Sequence, residues 1–113
     1  MGIDFSHGGA HWSYGGFHEF RRRLAGEIDL VLDEMKGFGG SRQWATVDDA
    51  IVPLLDHSDC DGELTPETCE LMAPRLRELV KNWPEDDFHR SQALELADGM
   101  DLAAGLDEPL EFT

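Results

Sequence analysis

Cysteine is scarce in this chain: Cys60 and Cys69 are the two present among 113 residues. That is too few for the disulfide framework that staples small secreted domains, so a reduced, cytoplasmic protein is expected. Long apolar runs are missing as well, and nothing approaches the roughly 18 residues that a membrane helix needs. The amino terminus, Met1-Gly2-Ile3-Asp4-Phe5, lacks the basic start and apolar block of a secretion signal. Gly2 and Ser6 match the spacing of a myristoylation motif, but no polybasic patch accompanies them and the match is read as chance. There is no HExxH, no pair of CxxC motifs and no internal repeat. The lack of any complete catalytic motif weighs against an enzyme.

Positive charge is the scarcest resource. Nine Lys and Arg stand against 24 Asp and Glu, a formal net charge of -15. Such a field repels nucleic acid and anionic membrane and attracts cationic surfaces or metal ions. Two readings stay open. The acidity serves a basic protein partner, or it serves solubility and reflects a salt-rich or GC-rich host, which the excess of Arg over Lys would suit.

What is present reads as a globular chain, with 41% hydrophobic and 29% charged residues. After a short extended piece, 2–6, and a loop rich in Gly, His and aromatics, a helix is predicted from about Gly16 to Met35. Phe17, Phe20, Leu24, Ile28, Val31 and Met35 recur there at steps of three and four. Glu19 is placed to pair with Arg23 on the solvent side, and Gly37-Phe38-Gly39-Gly40 ends the helix. Between Ser41 and Leu55, Thr46 and Asp49 resemble a capping box, while Ile51 to Leu55 reads equally as a buried strand, with Pro53 inside either element. Thr65 as N-cap and Pro66 at the first helical position predict the start of the next helix. Its apolar face is Cys69, Met72, Ala73, Leu76, Leu79, Val80 and Trp83, with a kink or a break at Pro74. A last helix is expected after Pro84, with Glu85, Asp86 and Asp87 at its positive end. Ala93, Leu96, Ala97, Met100, Ala103 and Ala104 form its stripe, Gly105 its stop, and 106–113 an irregular tail. The whole predicts a single acidic domain over 1–113, mainly α or else α+β, with three or four helices and one or two short extended segments.

The sharpest local signal is the loop from Asp56 to Glu67. Asp59, Asp61 and Gly62 match the third, fifth and sixth positions of an EF-hand calcium loop, in which alternate carboxylates converge on a hard cation. His57 stands at the first position, where calcium prefers oxygen, and Thr68 at the twelfth, where a bidentate Glu belongs. No register satisfies every ligand. The alternative is an acidic turn ahead of a capped helix. His57, Asp59, Asp61 and Glu63 are thus the candidate ligands for a divalent metal of calcium or zinc type, although no cofactor is expected. His7, His11 and His18, with His57, Asp59 and Cys60, contain the residue types of a transition-metal site but not a diagnostic spacing. His57 with Cys60 is an equally incomplete nucleophile and base.

For partner binding, the candidates are the aromatics Trp12 and Tyr14 and the acidic positions Asp56, Glu85, Asp86 and Asp87, because aromatic anchors dominate interfaces. Trp12 and Tyr14 serve as readily to close the core over the first helix. Trp44 and Trp83 read as core or core-edge residues. The run Arg21-Arg22-Arg23 is read as a solvated face that offsets local acid, or else as a dock for carboxylate or phosphate.

The heptad His57-Ser58-Asp59-Cys60-Asp61-Gly62-Glu63, with Pro66-Glu67-Thr68-Cys69 behind it, resembles a group of small bacterial proteins that includes predicted immunity proteins of polymorphic toxin systems. The likeness covers about a quarter of the chain. It implies a non-enzymatic, partner-binding role, and an inhibitor of a cationic protein should itself be acidic. The expectation is therefore an intracellular protein-binding module of the immunity or inhibitor kind, binding a cationic partner. The alternatives are a metal-binding protein or small metal-dependent enzyme using the 56–67 loop, and a protein whose acidity is solvent adaptation.

Overall fold

The computed structural model describes residues 2–57 and 62–113. Two short strands, β1 (Ile3–Asp4) and β2 (His11–Trp12), pair antiparallel ahead of the first helix, α1 (Tyr14–Gly26). A single helical turn, α2 (Val52–Leu55), follows a long connection that holds two 3-10 turns, Leu32–Glu34 and Trp44–Thr46. Then come β3 (Glu63–Leu64), the long helices α3 (Pro66–Val80) and α4 (Phe88–Gly105), and β4 (Leu110–Glu111). This is the mainly helical domain with minor strands that the sequence predicts.

Helix α1 starts two residues earlier than expected. Ser13 caps it by accepting from the Gly16 amide at 3.0 Å, which satisfies one of the amide groups that a helix start leaves without a partner. Phe17, Phe20 and Leu24 face the core as the periodicity requires. Its end comes nine residues sooner than predicted. Leu30 N–H bonds Ala25 O and Asp29 N–H bonds Gly26 O, at 3.0 and 3.2 Å, and Asp29 has φ +57°. Those two bonds around a left-handed residue are a Schellman stop, with Leu30 and Ala25 buried beneath it. The stripe therefore breaks. Met35 is still buried, but from the loop, while Val31 is exposed. Arg23 does not take up Glu19 as its ion-pair partner but crosses to Asp87.

The ambiguous second segment resolves as helix, with Pro53 in the first turn of α2, where its missing amide goes unnoticed. Thr46 does not cap that helix. Its hydroxyl donates to Gln43 O, and Asp49 Oδ1 accepts the Ile51 amide instead. Helix α3 begins as predicted, with Thr65 Oγ1 accepting the Thr68 amide at 3.2 Å. It runs as one helix through Pro74 rather than as two. Pro74 is exposed, so the Glu70 carbonyl it leaves without an amide is on the water side.

Helices α3 and α4 form an antiparallel hairpin whose inner faces are Cys69, Met72, Ala73 and Leu76 on one side and Ala93, Leu96, Ala97 and Met100 on the other. Small residues on α4 let the backbones approach. A second Schellman stop ends α4, with Glu108 N–H on Ala103 O, Asp107 N–H on Ala104 O, and Asp107 at φ +55°.

The segment 106–113 is not an irregular tail. Leu110–Glu111 pairs antiparallel with Glu63–Leu64, and Phe112 bridges Phe5. Buried Leu110 and Phe112 supply the driving force. The two strand pairs are joined by this bridge, where Asp4 and Thr113 exchange both backbone bonds. Over them lies an aromatic cluster in which Trp12 stacks on Phe20 at 4.5 Å, and Phe5 meets Phe112 edge-on at 4.9 Å.

Candidate functional site

The described ends of the acidic loop are tied to three elements. The His57 ring lies flat on Phe112, centroids 4.0 Å apart and planes 18° apart. Its Nε2–H donates to Glu63 O at 3.2 Å, and its carbonyl accepts from buried Arg21 Nη1 at 2.6 Å. Gly62, with φ +97°, sits close to the Cε1 and Nε2 atoms of the ring, and its carbonyl takes the Phe112 amide. A Cβ there would come within 2.9 Å of His57 Cε1. The sharp turn expected of Gly62 is thus present, and it leads into β3 beside the carboxy-terminal strand. His57 serves as a packed, hydrogen-bonded lid on Phe112. Glu63 is exposed, its backbone in β3. Asp59, Cys60 and Asp61 lie outside the described residues. Among the described residues no three His, Cys, Asp or Glu side chains converge as a metal-holding group. His11 pairs with Asp4 and His18 stacks on Phe38, so they are dispersed.

The partner-binding candidates divide sharply. Trp12 is fully buried, and its indole Nε1–H donates to His89 Nδ1 at 3.1 Å. It closes the core and is withdrawn from any interface. Tyr14 is exposed by 37% and begins α1. Asp56, Glu85 and Asp86 point to solvent. Asp87 has structural duties. Its Oδ1 caps α4 through the Arg90 amide and its Oδ2 takes Arg23 Nη1 at 2.7 Å. The Arg23 hydrogen bond holds its carboxyl below the usual Asp range, against the opposing push of burial.

The arginine run is not one solvated face. Arg21 turns inward to the carbonyls of Leu55 and His57 and lies over Phe17. Arg22 reaches Asp33, and Arg23 stacks over Trp83 at 3.9 Å while pairing with Asp87. Arg75 grips Asp49 with two bonds of 3.0 and 2.7 Å, which hold the Asp49 carboxyl below its ordinary value. Arg77 spans Asp98 and Asp101 on α4. Sequence reasoning missed all of these long-range pairs, since no local spacing signals them.

A cleft of about 240 Å³ opens beside the α1 stop, where Asp29, Asp48 and Asp49 face Arg42 and Thr46. Of its carboxylates, Asp49 is engaged by Arg75, and Asp29 and Asp48 are exposed. Chemically the cleft suits an incoming ammonium or guanidinium group.

One further chain of side chains links the ends of the protein. Ser6 Oγ lies 2.7 Å from His7 Nδ1, and His7 Nε2 lies 2.9 Å from Glu108 Oε1. With Nε2 carrying the proton toward Glu108, Nδ1 accepts from the Ser6 hydroxyl. This order of groups is that of a nucleophile relay, but Ser6 Oγ also accepts the Glu111 amide at 2.9 Å. The cleft lies elsewhere, against the α1 stop. The chain acts as a clasp between the amino-terminal hairpin and β4.

Comparison of the chain with known protein families, curated proteins and solved structures finds no match.

Proposed function

We propose that this chain is a cytoplasmic protein-binding module that captures a cationic partner, in the manner of an immunity or inhibitor protein. One observation carries the reading. Of the described carboxylates, those of Asp49 and Asp87 are partly buried and all others are exposed. Meanwhile Arg21, Arg22, Arg23, Arg75 and Arg77 are each held by groups of the chain itself. The formal charge of -15 is therefore presented to solvent with few cations to interrupt it. Such a surface accelerates encounter with a positive protein and rejects nucleic acid. The resemblance of the 57–63 heptad to predicted immunity proteins supports the same role. So does His57, whose ring and Nε2 are already engaged by the fold rather than poised for chemistry. A buried Cys69 thiol, raised above its usual pKa by burial, suits a reducing compartment. No helix is long and apolar enough to cross a membrane among the described residues.

The test is affinity capture followed by association kinetics at low and at high salt. The captured protein should be basic, and its association rate should fall by roughly 10- to 1000-fold as salt screens the field. An acidic partner, or a rate indifferent to salt, would leave solvent adaptation as the reason for the acidity.

A further inference from the structure

We propose that the cleft beside the α1 stop is a binding site for a free basic α-amino acid, lysine or arginine. The site goes beyond the cationic-partner reading and does not rest on it. Two hydrogen-bonded turns build its walls. Ile28 and Asp29 come from the Schellman stop of α1, and Arg42, Val47 and Asp48 flank the 3-10 turn Trp44–Thr46. The charges of these walls do not cancel one another. Among the described residues, Arg42 has no carboxylate within ion-pair reach, and Asp29 and Asp48 have no cation. Arg42 Nε donates to Thr46 Oγ1 at 3.0 Å, and that hydroxyl donates to Gln43 O at 2.7 Å. The guanidinium is thereby oriented while its Nη groups stay available. Asp49, the third acid of the cleft, is committed to Arg75. The cleft thus offers two uncommitted carboxylates and one uncommitted guanidinium.

These groups select the ligand. A point cation does not suit them, because the three aspartates line one cleft without converging as a group that could hold a metal ion. An extended dication can reach both free carboxylates, and a carboxylate on the same molecule answers Arg42. Lysine and arginine carry two cationic groups and one carboxylate near neutral pH. Their methylene stems have partly buried Ile28 and Val47 to lie against. Helix α1 ends at this cleft, and the negative end of its dipole favours the cationic groups further. A ligand carrying only carboxylate or phosphate would meet Asp29 and Asp48 as like charges. Size agrees with charge. The volume of about 240 Å³ is below the roughly 300–1,000 Å³ of drug-sized pockets and suits a single amino acid.

The experiment titrates the full chain with lysine, with diaminopentane, which lacks the carboxylate, and with Nα-acetyl-lysine, which lacks the α-ammonium. Calorimetry should show lysine binding at least about tenfold tighter than either analogue. Nα-acetyl-lysine also stands in for the carboxy-terminal lysine of a protein, so it separates a free amino acid from a partner's chain end. Amide shifts induced by lysine should centre on 28–30 and 42–49. Arg42→Gln should bring lysine down to the affinity of diaminopentane, and Asp48→Asn should weaken both. Glu19→Gln, the same change of charge at an exposed position on α1, should alter neither. Either analogue matching lysine, or shifts spread over the acidic surface, overturns the site and leaves the cationic-partner reading standing. Absence of heat and of shifts with millimolar lysine overturns it as well.

Discussion

Arg23 and Asp87 join the last turn of the first helix to the start of the last, with Nη1 and Oδ2 at 2.7 Å and the guanidinium over Trp83. Asp87 also caps α4. One carboxylate therefore starts a helix and fixes that helix against another, and the cation it uses is sheltered by an indole face that reinforces the attraction. Asp49 and Arg75 likewise tie the 42–49 segment to α3.

These two carboxylates should dominate the acid sensitivity of the fold. Both titrate lower in the folded chain, mainly because of the arginine hydrogen bonds. Their stabilisation is present above the unfolded Asp value of about 3.9 and is lost as pH falls through the lowered folded values. Asp49→Asn with Asp87→Asn should therefore be less stable near neutral pH and show a shallower loss of stability below about pH 4. Urea unfolding midpoints across pH measure it. Asp87→Ala should lose more than Asp87→Asn, since Asn still caps, by up to roughly 0.5–2 kcal/mol.

Thr65→Ala should destabilise by roughly 0.5–2 kcal/mol. The Thr65 hydroxyl takes the Thr68 amide and also bonds the Thr68 hydroxyl. A denaturant midpoint that shifts with an unchanged slope would confirm loss of a cap, while an unmoved midpoint would place the start of α3 elsewhere.

At the two Schellman stops, Asp29 and Asp107 hold the left-handed conformation that glycine adopts without steric penalty. Asp29→Gly and Asp107→Gly should each stabilise the chain, by up to about 1 kcal/mol. Asp29→Val should instead destabilise it. Thermal unfolding of the three variants decides the matter, and a valine tolerated at 29 would contradict the helix stop.

Gly99 lies inside α4, where alanine would favour an isolated helix by roughly 1 kcal/mol. In the folded chain its Cα faces the backbone of His7 and Gly8, and an added Cβ would overlap the His7 carbonyl. Gly99→Ala should thus destabilise by about 1–3 kcal/mol despite its better propensity. Gly105→Ala, with nothing near its Cβ, is the control. Equal midpoints for the two variants would show that the amino-terminal hairpin does not pack on α4.

The candidate site was legible unevenly. The exposed acid at Asp56, Glu85 and Asp86 followed from composition alone, because a small domain has nowhere dry to keep that many carboxylates. Trp12 was not assignable. A tryptophan among glycines has the same local signature whether it meets a partner or its own core, and only the arrival of Phe20, Phe5 and His89 from distant positions decided it. The cleft beside Asp29 was equally hidden, since its walls come from two segments with no shared pattern.

By itself the sequence determined the helical class, the start of α3, the stripes of α3 and α4, and the negative surface. These depend on spacing, capping chemistry and charge, which are local or additive quantities. Tertiary structure alone decided where α1 stops, that Val52–Leu55 is helix, that the last residues form a strand, and which carboxylate each arginine meets. The steps of three and four continued past Gly26 by coincidence, and burial of Leu30 under the Asp29 turn outweighed them. Likewise 110–112 is too short to be stable alone. It is a strand because Leu64, Phe5 and His57 offer Leu110 and Phe112 a dry surface and backbone partners at once.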